Sequence, residues 1–244
     1  MLGVYASAVH ARWLSANGRE LAKALAVASE PYIFWRGDSS EGIVARIELP
    51  AGAGRLEPAA SMFNGPSGLA LDDYFLAPLG RTRDEAWLAD LVPHSCVNSQ
   101  QLAALRRCYF PRMGEWHLPM PSVPLVPSAL ASPVRRHEIV AELIESKARI
   151  LVLLGDEPIR WFSSKFYPRC KRLADFGTDA DTYGRLTETT VDGHGIALLP
   201  LAHPRQVARL GRSSARWFDL HRDWITRRAP NVLSQPSTGW PTPV

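Results

Sequence analysis

Apolar residues recur along the chain in short runs, separated by polar or Pro- and Gly-rich stretches, and their spacing changes from run to run. Over residues 6–29, Val9, Trp13, Leu21 and Leu25 recur at helical spacing, with Asn17 and Gly18 dividing the stretch into two helices. Residues 32–35, YIFW, read as a short buried strand ending in the polar turn Arg36, Gly37, Asp38, Ser39, Ser40, and residues 43–49 alternate as a second strand. The Gly- and Pro-rich residues 52–66 read as a long loop. Residues 67–79 follow as an amphipathic helix carrying Leu69, Leu71, Tyr74 and Phe75.

The second half is more regular. Residues 86–92, AWLADLV, form a buried strand interrupted by one acid, Asp90, and residues 100–108 a short helix. Five prolines make residues 109–127 irregular. A helix over 137–147 turns Ile139, Val140, Leu143 and Ile144 inward and feeds the cleanest strand, ILVLLG at 150–155. Asp156 and Glu157 open the next helix, where acids favour the N-terminal dipole. The last strand is 195–201, and the last long helix 206–227. Such strands alternating with helices predict an α/β fold with a mostly parallel sheet, in one domain over 1–228. A Pro-rich tail, 229–244, is loosely held.

In such sheets ligands sit at the carboxyl ends of the strands. That rule selects residues 36–40, 90–94, 155–157 and 203–206, and each of these carries polar side chains. Asp38 either positions a water molecule or caps backbone amides in its turn. Asp90, placed in an apolar strand, needs a dedicated donor, which is either structural or a ligand. His203 is followed by Pro204, Arg205, Gln206 and Arg209, so helix N-terminal amides and guanidinium groups converge beside an imidazole as an anion site. The other reading is a satisfied histidine at a strand end.

Composition narrows the class. The 244 residues are 46% hydrophobic and 21% charged, as in an ordinary soluble protein. No apolar run approaches the roughly 18 residues of a membrane span, so no membrane partner is expected. Residues 1–11 lack the basic start of a secretory signal. Cys96, Cys108 and Cys170 are too few for a disulfide framework or a four-cysteine metal or iron–sulfur site, and a reduced cytoplasmic compartment is expected. The histidines lack metal-ligand spacing, and no glycine-rich phosphate loop or nucleophile elbow is present, so no metal or cofactor is expected. The net charge is only +4, but Arg205, Arg209, Arg212, Arg216, Arg222, Arg227 and Arg228 crowd one segment against Asp219 and Asp223. This pattern suits a polyanion such as nucleic acid, or a solvated helix face.

The ordered constellation resembles the uracil-DNA glycosylase superfamily over residues 32–224. It comprises a turn acid in RGDSSEG, the aromatic and Pro-Ser loop SMFNGPSG, the polar residue in AWLADLV, the apolar strand in ILVLLGDEPIRWF, and the closing LLPLAHPRQVARL. The closing motif is the most specific. The first departs from the family's Gly-x-Asp-Pro-Tyr or Gly-Glu-x-Pro-Gly.

The resemblance implies a three-layer α/β/α sandwich and a monomeric enzyme. The enzyme flips a base out of DNA and hydrolyses its N-glycosidic bond without a cofactor. Asp38 falls on the water-orienting acid, and His203 on the histidine that stabilises charge on the departing base. Phe63 falls on the ring that stacks on the base, with Asn64, Ser39 and Ser40 around it, and Asp90 on the base-reading Asn. Ser67 falls on a loop pressing on the DNA backbone. Residues 205–210 fall on the loop entering the minor groove, so Pro204, Arg205, Gln206, Val207, Arg209 and Arg212 are DNA contacts.

Small residues after Asp38 imply a roomier pocket than uracil needs, and an ionised Asp90 accepts from an exocyclic amino group. Together these imply a bulky or modified cytosine, as in phage DNA, and an anti-phage role. An Asp90 that is protonated or plays a structural part implies instead a repair enzyme for uracil or another deaminated base. The degraded first motif implies a catalytically silent DNA-binding relative. A raised Asp90 pKa favours the repair reading.

Overall fold

The structure, a computed structural model, describes residues 1–210 and 215–234. Its strands are β1 (Leu2–Gly3), β2 (Ala8–Leu14), β3 (Glu20–Ser29), β4 (Arg55–Pro58), β5 (Ala89–Asp90), β6 (Ile150–Leu154), β7 (Thr187–Val191) and β8 (His194–Leu201). The α-helices are α1 (Ser40–Ala45), α2 (Pro66–Leu71), α3 (Ser99–Ala104), α4 (Met113–Trp116), α5 (Pro133–Glu145), α6 (Asp156–Trp161), α7 (Pro204–Val207), α8 (Ala215–Arg227) and α9 (Ala229–Val232). None of the described helices is long and apolar enough to cross a membrane.

The chain falls into two compact units. A sheet unit comprises Met1–Val4, Ala70–Val92 and the described residues from Ala129 onward; a hairpin unit comprises Tyr5–Leu69 and Pro93–Ser128.

The sheet unit is α/β, built on strands in the order β5-β1-β6-β8-β7. The first four run parallel, and β7 is antiparallel to β8. The apolar run of β6 and the buried Leu198, Leu199 and Leu201 of β8 follow from burial of a parallel sheet on both faces. Pro200 sits in β8 without breaking the ladder, because pairing with β7 ends at Leu198. After β1 the chain goes to β5 on one side and then to β6 on the other. The strand order therefore reverses between β1 and β6, which is where such sheets bind ligands. Gly3 pairs with Asp90, and Leu154 with Leu201, so the carboxyl ends of all four parallel strands align.

The hairpin unit corrects the helical reading of residues 6–29. They form β2 and β3, an antiparallel hairpin flanked by β4 on the other side of β2. Leu21 and Leu25, four apart, fit a period of 3.6 and a period of 2 alike, while register shifts in β2 between Val9 and His10 and between Ala11 and Trp13 send Val9 and Trp13 to different core clusters. Asn17 and Gly18, with Gly18 at φ 82°, close the hairpin turn instead of breaking a helix. Trp13 and Leu25 pack with Val97, Leu105 and Tyr109 in one cluster, while Val9 and Ala11 pack with Trp35 and Val44 in another. Both faces of β2 are thus covered.

Other boundaries shift as well. Residues 32–35 are turns and not a strand, and the expected strand at 43–49 is α1 for its first part. β5 keeps only two residues of the expected 86–92. β7 lies where no strand was expected, joined to β8 through Asp192 and Gly193. Ile144 is exposed, and α5 instead buries Arg135 beside Ile139. The expected helix at 206–227 is two helices, α7 and α8, and residues 211–214 lie outside the described residues. The start of the expected tail is α9, with Ala229 and Val232 buried; residues 235–244 lie outside the described residues.

Candidate functional site

The expected site residues divide between the two units. Asp38, Ser39, Ser40, Phe63, Asn64 and Ser67 belong to the hairpin unit, and Asp90, His203, Pro204, Arg205, Gln206, Val207 and Arg209 to the sheet unit. Arg212 lies outside the described residues.

In the hairpin unit the first two motifs do meet. A Cβ on Gly37 would lie 2.5 Å from the Asn64 carbonyl oxygen, and one on Gly68 2.2 Å from that of Trp35. The Gly-Pro-Ser-Gly sequence is therefore required by close packing against residues 34–37, whatever else it does. Asp38 is exposed and accepts from the Tyr32 hydroxyl at 2.6 Å, while its carbonyl accepts from Trp35 Nε1 at 2.8 Å. Residues 32–35 form no strand leading into it, so the carboxyl-end rule that selected it does not apply. Ser39, at φ 63°, occupies the cap position of α1 without a side-chain cap bond, and Ser40 opens that helix.

Asn64 is corrected from base contact to structural clamp. Its Oδ1 accepts from the His10 amide at 2.8 Å, and its Nδ2 donates to the His10 carbonyl at 3.0 Å. Both ends of the buried amide are thus spent on β2. Asn64→Ala removes both side-chain bonds to the His10 backbone, of which the carbonyl keeps the Ala59 amide as a partner, and is expected to cost about 1–3 kcal/mol, read by urea denaturation; an unchanged midpoint would refute the clamp. The Phe63 ring is half-buried, 6.4 Å from the His10 ring and 5.9 Å from Lys23 Nζ. Gln101 Nε2 lies 2.9 Å from both Ser7 Oγ and His10 Nε2. The sequence reading missed this polar group next to Phe63 because it took residues 6–29 as helix.

In the sheet unit His203 caps α7. Its Nδ1 accepts from the Arg205 amide at 3.2 Å, and its own amide donates to Gln206 Oε1 at 3.1 Å. With Pro204 in the first turn, the sequence His-Pro-Arg-Gln is a reciprocal capping box. A ring whose Nδ1 accepts carries its proton on Nε2 when neutral. Desolvation, aided by the Arg205 charge, lowers the pKa to about 4 and keeps the ring neutral. Gly155, at φ 90°, ends β6 so close that a Cβ there would be 3.1 Å from the His203 Cβ. Pro204 and Val207 are buried, which corrects their reading as DNA contacts.

Asp90 closes β5 at the same edge, and is 3% exposed. Its Oδ1 is buried without a hydrogen-bond partner. Its backbone carbonyl accepts from Arg135 Nη2 at 2.8 Å and Nε at 3.2 Å, and Arg135 Nη1 reaches Glu142 at 2.6 Å and Glu138 at 3.1 Å. Arg135 thus binds the Asp90 backbone and two acids, and leaves the carboxyl Oδ1 unmatched. Burial raises the Asp90 pKa to about 7, with the nearby Arg135 charge opposing. Spacing would have revealed Arg135, which stands four residues before Ile139 on the inward face of α5.

The remaining strand ends and arginines have local partners. Asp156 accepts from the Leu173 amide at 2.7 Å, and Glu157 from Trp161 Nε1 at 3.0 Å. Arg209 stacks 3.8 Å from the Phe218 ring centroid, Arg216 donates to the Thr178 carbonyl, and Arg227 pairs with Asp223. Arg205 is exposed at the start of α7.

No family model matches this chain, and no characterised protein matches it.

Proposed function

We propose that the protein is a DNA N-glycosylase acting on a flipped-out pyrimidine. His203 would donate to the departing base and Asp90 would read its edge. One observation carries the reading: a neutral imidazole with Nδ1 held as acceptor, and hence Nε2–H as donor, stands at the carboxyl edge of a parallel sheet. A base leaving as an anion is stabilised by such a preorganised donor. Asp90 and His203 flank the point where the strand order reverses, their strands separated by β1 and β6, a backbone gap of about 14 Å at normal strand spacing. That gap is of the size taken by a pyrimidine with a side chain and a hydrogen bond at each end. Base extrusion costs a few kcal/mol, which contacts to the flipped base have to offset.

Asp90 decides between bases. The modified-cytosine reading requires an ionised carboxylate, and burial disfavours that form. A neutral carboxyl offers one donor and one acceptor, as an amide does, which suits uracil or another deaminated base. We therefore favour the repair-type activity over the anti-phage one. A second reading, a silent DNA-binding relative, is favoured by the departure of RGDSSEG from the family's first motif and by the absence of a strand over residues 32–35 leading into Asp38.

The test incubates the protein with duplexes containing one uracil, with phage DNA containing modified cytosine, and with unmodified DNA, and scores abasic sites by alkaline cleavage. Release from uracil DNA, strongly reduced in His203→Ala, supports the enzyme. Release from modified DNA alone restores the anti-phage reading. Salt-sensitive binding without base release by the folded protein establishes the silent relative.

A further inference from the structure

Ala202 is the residue at which β8 leaves the sheet, and it directly precedes His203. It is fully buried, so its amide needs a partner inside the protein. That partner is a side chain: the amide donates to the Tyr183 hydroxyl oxygen at 2.8 Å. The hydroxyl lies 2.8 Å from His221 Nδ1, and His221 Nε2 lies 2.9 Å from the Tyr74 carbonyl oxygen. A carbonyl only accepts, so His221 carries its proton on Nε2. Nδ1 is then an acceptor, and the Tyr183 O–H donates to it. Every direction in the chain follows from that one carbonyl.

The surroundings leave this chain little freedom. Tyr183 is 1% exposed and His221 fully buried. Phe75 and Trp224 lie against the His221 ring, at 4.5 Å and 5.1 Å between centroids. Trp224 Nε1 donates to the Gly184 carbonyl at 3.1 Å, and Gly184 has no room for a side chain beside the indole. Satisfying the Ala202 amide alone needs a single acceptor. Here the network continues through a buried imidazole to a second backbone group, which fixes the rotation of the phenol and its hydroxyl proton.

We propose that Tyr183 and His221 are positioning residues for His203: they anchor the backbone at Ala202 while the Arg205 amide anchors the ring, so that the Nε2–H keeps one direction. This deepens the glycosylase reading and rests on it for the role of His203.

The test uses the full chain and two readouts. Two-bond ¹H–¹⁵N spectra report the His203 tautomer without reference to activity, and single-turnover abasic-site formation on uracil DNA separates maximal rate from half-saturation. In the unaltered protein His203 shows the Nε2–H tautomer alone. In Tyr183→Phe the spectra are expected to show a mixture of tautomers, and the maximal rate to fall roughly ten- to hundredfold, with half-saturation held within about twofold. In His221→Gln, whose amide keeps a donor and an acceptor, both readouts are expected near those of the unaltered protein.

A folded Tyr183→Phe with the original tautomer and rate overturns the proposal. If the unaltered protein releases no base, the glycosylase reading fails and the tautomer alone decides on positioning. If Tyr183→Phe does not fold, His221→Leu, which removes the second half of the network, is read in the same way. Failure of both to fold assigns the network to the core and overturns the proposal.

Discussion

Replacing His203 with Asn is expected to lower abasic-site formation by roughly 10²–10³-fold, the effect of removing one preorganised donor to a developing anion. Asn is chosen because its Oδ1 still caps α7 in place of the imidazole Nδ1, so stability should change little. His203→Ala loses the same donor and also the cap, and is expected to cost about 0.5–2 kcal/mol in addition. Single-turnover rates on uracil DNA, with thermal melting of both variants, check this. Wild-type rates in a folded His203→Asn would remove His203 from the mechanism.

The pH dependence follows from the lowered pKa. His203 and His221, both lowered to about 4 mainly by desolvation, fold as neutral rings. Their contribution to stability is complete above the ordinary value near 6.5 and is lost as pH falls through 4. The donor therefore stays neutral throughout the neutral range, and an activity loss between pH 6 and 8 has to come from another group.

Asp90 is the group whose raised value reaches that range. Its carboxyl is raised from an ordinary 3.8 to about 7, so the folded state favours the protonated form. The stability associated with it is full below pH 3.8 and is lost as pH rises through 7, by about 4 kcal/mol at 1.36 kcal/mol per unit. Asp90→Asn removes the titration. It is expected to exceed the unaltered protein in stability at pH 8 by on the order of 2–4 kcal/mol, with the difference vanishing towards pH 4. Urea denaturation at pH 4, 6 and 8 measures it, and parallel pH profiles for the two proteins would rule it out. The same substitution separates the substrate readings. If a neutral carboxyl reads uracil, Asp90→Asn retains release and abolishes its decline above pH 7.

Sequence legibility differed between the two units for a physical reason. The sheet unit was readable because parallel strands are covered on both faces and so appear as unbroken apolar runs, as in ILVLLG and GIALLPL. Their ends are marked by polar residues, and this placed Asp90 and His203 correctly at one edge. The hairpin unit reads as helix because Leu21 and Leu25, four apart, satisfy both periods and the register shifts in β2 break its alternation, and YIFW is apolar for packing around turns and not for pairing in a sheet. Asp38 was selected through a strand that does not form.

The sequence by itself determined the α/β class, the strand at 150–154, and the local capping chemistry of His-Pro-Arg-Gln, because each depends on residues within a few positions of one another. Only the tertiary structure decided what those residues do. The state of Asp90 depends on burial and on Arg135, 45 residues away, spending its donors on the Asp90 carbonyl and two acids. The spending of Asn64 depends on His10, 54 residues away, and the partner of the buried Ala202 amide on Tyr183 and His221. Protonation and hydrogen-bond direction are set by contacts between distant segments, and no spacing along the chain encodes them.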